Sequence, residues 1–279
     1  MPDRLSKRPR HLEVNEGLYQ YLIKCQMPDG GFCSFHEPES GAGFSNVADT
    51  YFALDCFRLL PEKPQDLQKT AGWIQQVLEA DGMYRRVPYL SWCLLSKIRL
   101  RLSLDFQERE ALKTESIRLM REEVQENEWA SLVRDLAFLM NVRLEGNLAP
   151  HSAEREQVGT FLRKAIAVKL EKTILELADL LFLSQFYPDV RDMLPDEGRY
   201  RHPEWGYVLV PGSSRSDLFI ILAGYGLRKD SLNSEEKSSI RQRVLFCQET
   251  NGGFGPVGGA LPTLEASHAA MKLLHLLEG

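Results

Sequence analysis

Near its start the chain reads Cys25-Gln26-Met27-Pro28-Asp29-Gly30-Gly31-Phe32, and near its end Cys247-Gln248-Glu249-Thr250-Asn251-Gly252-Gly253-Phe254. Both stretches fit C-Q-x-x-[D/N]-G-G-F with identical spacing. Each follows an amphipathic stretch, Gly17 to Lys24 and Ile240 to Phe246. Each leads through a Gly/Ser/Pro-rich loop into a second helical run, Ala48 to Leu60 and Leu264 to Leu277. Paired glycines permit positive φ where a helix ends. The unit is therefore helix, turn, loop, helix, and it occurs twice.

The two leading cysteines stand 222 residues apart, which divides into five periods of roughly 44, inside the range of helix-pair repeats. Weaker copies fall where this period expects them. Asp81-Gly82-Met83-Tyr84 precedes the run Tyr89 to Leu100, and Trp205-Gly206-Tyr207 precedes Asp217 to Leu227. The apolar runs Glu128 to Val142 and Ile174 to Phe186 fill the other two slots without a Gly-Gly-aromatic turn. More polar amphipathic helices lie between, at Asp66 to Leu78, Phe106 to Val124, Glu154 to Leu170 and Ser234 to Phe246. The segment Pro188 to Pro203 reads as a short helix or loop, and Tyr207 to Val210 is the one strand candidate.

Six apolar helices alternating with more polar ones predict an all-α fold, an (α/α)6-type toroid of about six helix pairs with the apolar helices inside. An open solenoid is the alternative, but its exposed ends need polar capping repeats, and here both ends carry the strongest repeats. We expect a single domain over residues 1–279, with 1–11 a flexible basic arm.

Composition narrows the function. At 43% hydrophobic the chain can bury a large core, and a formal net charge of −5 argues against a nucleic-acid partner recognised through bulk charge. The longest strongly apolar run, Leu218 to Leu227, is about half of what a membrane span needs. No apolar segment follows the basic start as a secretory signal requires. Five cysteines, an odd number with no C-x-x-C pair, fit reduced thiols and a cytoplasmic protein.

The C-Q-x-x-[D/N]-G-G-F turn followed by a helix opening with an acid resembles the repeat of protein prenyltransferase β-subunits, and squalene-hopene cyclases carry a related one. The resemblance implies inner helices lining a deep apolar cavity for an isoprenoid chain, and a helical partner subunit. It also implies a zinc site formed by an Asp-x-Cys on the penultimate inner helix and a His on the last. Asp217 matches the aspartate and His268 the histidine, but Phe219 stands at the cysteine position. Phenylalanine cannot ligate zinc, and a catalytic zinc normally has three protein ligands, so the site is incomplete; zinc or magnesium is the candidate metal. The diphosphate-binding Arg-x-x-Lys of that family does not precede Asp217, and the D-x-D-D acid cluster of the cyclases is absent. Asp189, Asp192 and Asp196 read as solvated loop charges.

Asp49, Asp217 and Glu265 each open an apolar helical run. First-turn acids complement the helix dipole, so capping is their plain role. The functional alternative is that the inner-helix N-termini converge on one mouth, where these acids and His268 move a proton or hold a metal. Arg85, Arg86 and Arg215 are the basic candidates for a diphosphate. Tyr51, Tyr89, Trp92 and Phe219 are core residues by spacing and, alternatively, the wall of a substrate cavity. Cys33 and His36 make at most half a zinc site. The first Gly-rich loop, six residues longer than its counterpart when measured to Asp49 and Glu265, reads as a lid. Gly253 to Gly258 fits G-x-G-x-x-G but follows a helix, which excludes a dinucleotide site.

The leading expectation is an isoprenoid-handling enzyme. The alternatives are a non-catalytic lipid- or protein-binding toroid, and an (α/α)6 sugar-processing enzyme using Asp217 and Glu265 as its carboxylate pair.

Overall fold

A computed structural model describes residues 11–34, 43–80, 87–121, 128–168, 172–203, 206–228 and 232–278. Eleven α-helices carry the described fold: α1 His11–Lys24, α2 Val47–Leu59, α3 Leu67–Glu79, α4 Val87–Arg99, α5 Phe106–Arg121, α6 Trp129–Glu145, α7 Ser152–Val168, α8 Ile174–Ser184, α9 Leu218–Arg228, α10 Ser234–Phe246 and α11 Leu264–Glu278. The apolar set packs in a closed circuit: α2 on α4, α4 on α6, α6 on α8, α8 on α9, α9 on α11, and α11 back on α2. The more polar α3, α5, α7 and α10 each pack on the inner helix that follows. This is the expected toroid.

The fifth connection is the short one expected at Pro188 to Pro203. Between α8 and α9 no outer α-helix forms among the described residues. Pro188–Met193 and Glu197–Tyr200 are 3-10 turns, and Arg201–His202 pairs antiparallel with Gly206–Tyr207. Proline and clustered charge deny this stretch the continuous apolar stripe that a helix buries. The strand expected at Tyr207 to Val210 is this short hairpin, displaced toward Gly206. At the N-terminus α1 begins at His11, six residues before the expected Gly17 and inside the expected arm.

The two deciding turns build identically. Asp29 Oδ1 accepts from the Gly31 N–H and Asn251 Oδ1 from the Gly253 N–H, both at 3.0 Å. Only a short acceptor side chain makes that local bond, which accounts for Asp or Asn at this position. Gly30 and Gly252 hold φ of +100° and +92°. Each also lies against a neighbouring outer helix. A Cβ on Gly30 would sit 2.5 Å from the Lys69 carbonyl carbon of α3, and one on Gly252 would overlap the Gly17 carbonyl of α1. The glutamines tie the same joints: Gln26 bonds Thr70, and Gln248 bonds the Val14 carbonyl. Phe32 and Phe254 are fully buried. The turn thus serves as the hinge-pin between successive outer helices.

The same geometry fixes the register of the two inner helices. The Phe32 N–H donates to Thr50 Oγ1, eighteen residues on, and the Phe254 N–H to Ser267 Oγ, thirteen residues on. Thr50 and Ser267 are therefore equivalent, which aligns Asp49 with Ala266 instead of Glu265. Measured this way, the first loop is longer by five residues, not six.

A second repeat escaped the sequence reading. Lys97 pairs with Glu108 at 2.5 Å and Arg143 with Glu154 at 2.9 Å, each eleven residues apart. In both connections the glutamate accepts from a residue three before it, Asp105 or His151, whose own side chain caps the glutamate's N–H. Arg109 and Arg155 then bond the Leu104 and Pro150 carbonyls. These are two copies of one buried, ion-paired corner from an inner helix to the next outer one.

Candidate functional site

Asp55 lies on α2 inside the apolar sequence Tyr51-Phe52-Ala53-Leu54-Asp55-Cys56-Phe57, and its side chain is fully buried. A buried carboxylate must be paired or pay a large desolvation cost. Three inner helices supply the partners. His268 Nε2 of α11 is 2.8 Å from Asp55 Oδ2. Oδ1 accepts from Arg99 Nε of α4 at 2.5 Å and from Arg58 Nε at 2.8 Å. Arg99, itself only 7% exposed, turns its other two nitrogens in a fork onto Glu145 of α6, at 2.9 Å each. Lys272, one turn beyond His268, approaches Asp55 Oδ2 at 4.0 Å, beyond hydrogen-bonding range.

The electrostatics follow from this list. Burial alone would raise the Asp55 pKa, but the His268 hydrogen bond and the Arg58 and Arg99 guanidiniums hold it well below the carboxylate range. Burial pushes His268 down, and the Lys272 and Arg99 charges add to that against the pull of Asp55. His268 is thus neutral near pH 7. An ionised carboxylate only accepts, so Nε2 carries the imidazole proton and Nδ1 keeps its lone pair. This is a base oriented by a buried acid, an arrangement suited to proton transfer.

Aromatic rings surround that base. The Phe52 and Tyr51 rings stand 5.1 and 5.8 Å from the His268 ring. Phe52 leads on to Trp92, and Trp92 to Tyr89 and Phe138, with centroids 5.7 to 6.4 Å apart. Tyr51 also lies 5.9 Å below the Arg99 guanidinium. Trp92 Nε1 is buried without a hydrogen-bond partner among the described residues. A cleft of about 640 Å³ opens among the C-terminal halves of α2, α8, α9 and α11, lined by Leu181, Phe182, Leu222, Leu227 and Leu276 with Arg58, Lys272 and His275. Because α2 and α8 face each other across a six-membered circuit, a cleft touching both lies in the lumen.

The expected mouth residues have a different character. Burial and the charges of Asp49 and Asp217 raise the Glu265 pKa, with Arg134 opposing them, so the ring brings these three acids within electrostatic reach of one another. Asp49 accepts from the Ser34 N–H and hydroxyl and from Asn46 Nδ2, while Ser34 Oγ accepts from the Leu264 N–H. It braces the α2–α11 seam. Asp217 caps α9 by accepting from the Ile220 N–H. Arg134 reaches Asp179 at 3.8 Å, and burial lifts the Asp179 pKa to about 6. Arg215 is exposed, Tyr89 is 45% exposed, and Phe219 packs half-buried against the core. Arg85, Arg86 and His36 lie outside the described residues; Cys33 is buried.

The zinc implied by the resemblance does not fit the side chains present. Phe219 offers no donor, Asp217 is engaged at its own helix start, and the Nε2 of His268 is committed to Asp55. Among the described residues no group of three His, Cys, Asp or Glu side chains converges as metal ligands need to.

Sequence reading missed Asp55, Arg58, Arg99, Glu145 and Lys272. Asp55 alone carried a signal, a lone acid on the apolar face of an inner helix. The other four read as ordinary charges near helix ends. Asp189, Asp192 and Asp196 are exposed, as expected of solvated charges. No helix among the described residues is long and apolar enough to cross a membrane.

Comparison with known proteins adds one match. The family model described as a prenyltransferase alpha-alpha toroid domain covers residues 3–95 and 215–279, more than half of the chain and including both Gly-Gly-Phe turns. No curated protein and no solved structure matches.

Proposed function

The chain belongs to the prenyltransferase alpha-alpha toroid family, and we propose that it is an isoprenoid-handling enzyme holding a prenyl chain in the lumen of its ring. The observation that carries this reading is that Lys272, which lines the apolar cleft of about 640 Å³, comes within 4.0 Å of the Asp55 carboxylate that pairs with His268. The cleft is within the volume range of small-molecule sites and is walled mainly by apolar residues, five of them leucines. The rings of Tyr51, Phe52 and Trp92 suit a chain that develops positive charge, since aromatic faces attract cations. In this reading the C–O bond to the diphosphate breaks and diphosphate leaves with the bonding pair. His268 Nδ1 then takes a proton from the carbon next to the resulting cation, giving an alkene and an imidazolium.

The donor set does not support a zinc-bound thiolate as the acceptor. A carboxylate pair of Asp217 and Glu265 for sugar chemistry is also less favoured, because Asp217 is spent on its helix cap. Five free, buried cysteines support a reducing, cytoplasmic setting.

The test is calorimetric titration with farnesyl and geranylgeranyl diphosphate, with and without zinc or magnesium, alongside mass-spectrometric product analysis. Wild type should bind without metal at micromolar concentrations and convert the ligand. His268→Ala should bind comparably and lose conversion. If neither diphosphate binds under any condition, the isoprenoid reading is wrong and the resemblance concerns fold alone.

A further inference from the structure

The cations at the C-terminal end of the ring have a task that the proton-transfer pair does not use. Arg58, Lys272 and His275 line one side of the cleft, while the side facing them, from α8 and α9, carries no charge and is apolar except for Gln185 just past the end of α8. The charges acting on Lys272 are those of Asp55 and Arg58 on α2, Arg99 on α4 and Glu145 on α6, with His268 one turn above on its own helix. Asp55 and Glu145 supply two negative charges against the three cations Arg58, Arg99 and protonated Lys272. Asp55 is already shared among His268, Arg99 and Arg58, and Glu145 is held by the Arg99 fork. Lys272 makes no hydrogen bond to any described residue, and 38% of its side chain remains exposed.

We propose that Arg58 and Lys272, with His275 beside them, form a head-group site for an apolar molecule that ends in an anion, so that the anion sits at the C-terminal end of the ring and the tail lies in the cleft. An anion there supplies the missing counter-charge and gives the Lys272 ammonium the acceptor it lacks. The depressed Lys272 pKa agrees with this: burial disfavours its charge first, Arg99 and Arg58 add to that, and Asp55 and Glu145 compensate only in part. The opposite mouth is unsuited to the same task. Its described acids, Asp49, Asp217 and Glu265, repel an anion. His268 lies four residues, about 6 Å, along α11 from Lys272.

The proposal rests on the isoprenoid reading for the identity of the tail but not for the anion, and the experiment separates the two. Farnesyl diphosphate, farnesol and palmitate are titrated calorimetrically into wild type, Lys272→Met and Arg58→Ala, with thermal melts confirming that each variant is folded. Wild type should bind farnesyl diphosphate about tenfold or more tightly than farnesol. Lys272→Met should erase most of that difference while leaving farnesol binding unchanged, with Arg58→Ala acting in the same direction. Equal affinity of wild type for farnesyl diphosphate and farnesol overturns the head-group site and leaves the isoprenoid reading standing. Equal weakening of both ligands by Lys272→Met also overturns it, because that result is lost packing. Palmitate binding that depends on Lys272, with no binding of either farnesyl ligand, upholds the anion site and removes the isoprenoid tail. If none of the three ligands binds, both fall.

Discussion

Asp55 and His268 are 213 residues apart in the chain and 2.8 Å apart in the fold, across the α2–α11 seam where the ring closes. The contact joins the first inner helix to the last. It also fixes which imidazole nitrogen carries the proton, because the carboxylate it meets is ionised and buried. The same hydrogen bond therefore ties the closing seam and sets the tautomer of His268.

Removing the carboxylate should be costly. Asp55→Ala leaves Arg58 and the buried Arg99 without a shared partner, and breaking a buried ion pair from one side typically costs about 3–5 kcal/mol. Urea unfolding should show a loss of that order. A loss below about 1 kcal/mol would mean that the cluster is solvated and does not hold the seam.

The pH dependence of stability has a sign that can be checked. His268 has a folded pKa below its ordinary 6.5. Its contribution is complete above about pH 6.5 and is lost as pH falls toward the folded value, because the unfolded chain takes the proton first. Asp55, also depressed, adds a further loss below about pH 4. Asp179, raised to about 6 mainly by burial, acts in the opposite sense: it costs the fold stability as pH rises from its ordinary 3.8 to about 6. Denaturation midpoints measured from pH 5 to 8 should flatten in His268→Asn. Asp179→Asn should gain about 1–3 kcal/mol at pH 8 and nothing at pH 3.5. Unchanged slopes in both variants would contradict the burial of these groups.

Two glycines should respond oppositely to alanine. Gly72 lies exposed within α3 with nothing within 4 Å of an added Cβ, so Gly72→Ala should stabilise by up to about 1 kcal/mol. Gly252 has φ of +92° and its added Cβ meets the Gly17 carbonyl, so Gly252→Ala should destabilise by about 2 kcal/mol or more. A Gly252→Ala melt at or above that of wild type would contradict both the positive φ and the docking of the turn on α1.

All five cysteines are free and buried. Burial pushes Cys25 and Cys93 up to about 12 and Cys247 to about 11, and raises Cys56 as well. Since the thiolate is the reactive form, the native protein should react slowly with Ellman's reagent and release five equivalents once unfolded. Fast labelling of one thiol in the native state would identify an opening that the static structure does not contain.

The corner formed by Lys97 with Glu108 and again by Arg143 with Glu154 shows where sequence reading stops. The two copies share a cation, a glutamate and an arginine at matched spacing, yet the capping residue is Asp105 in one and His151 in the other. Both side chains accept the same backbone N–H, so the geometry repeats while the letters change. The glycine turns were legible for the opposite reason. A positive φ and a close backbone approach admit essentially one residue, and an acceptor two positions before the second glycine's N–H must be short.

By itself the sequence determined the repeat, the helices and the ring, because each turn is decided by contacts within a few residues and each inner helix by its own apolar content. Only the tertiary structure decided the site. Asp55, Arg99, Glu145, His268 and Lys272 come from four helices, and each is an ordinary charge until ring closure sets α2 between α4 and α11. What makes His268 neutral and depresses the Lys272 pKa is desolvation together with the charges of residues far away in the chain, and neither exists before the helices pack.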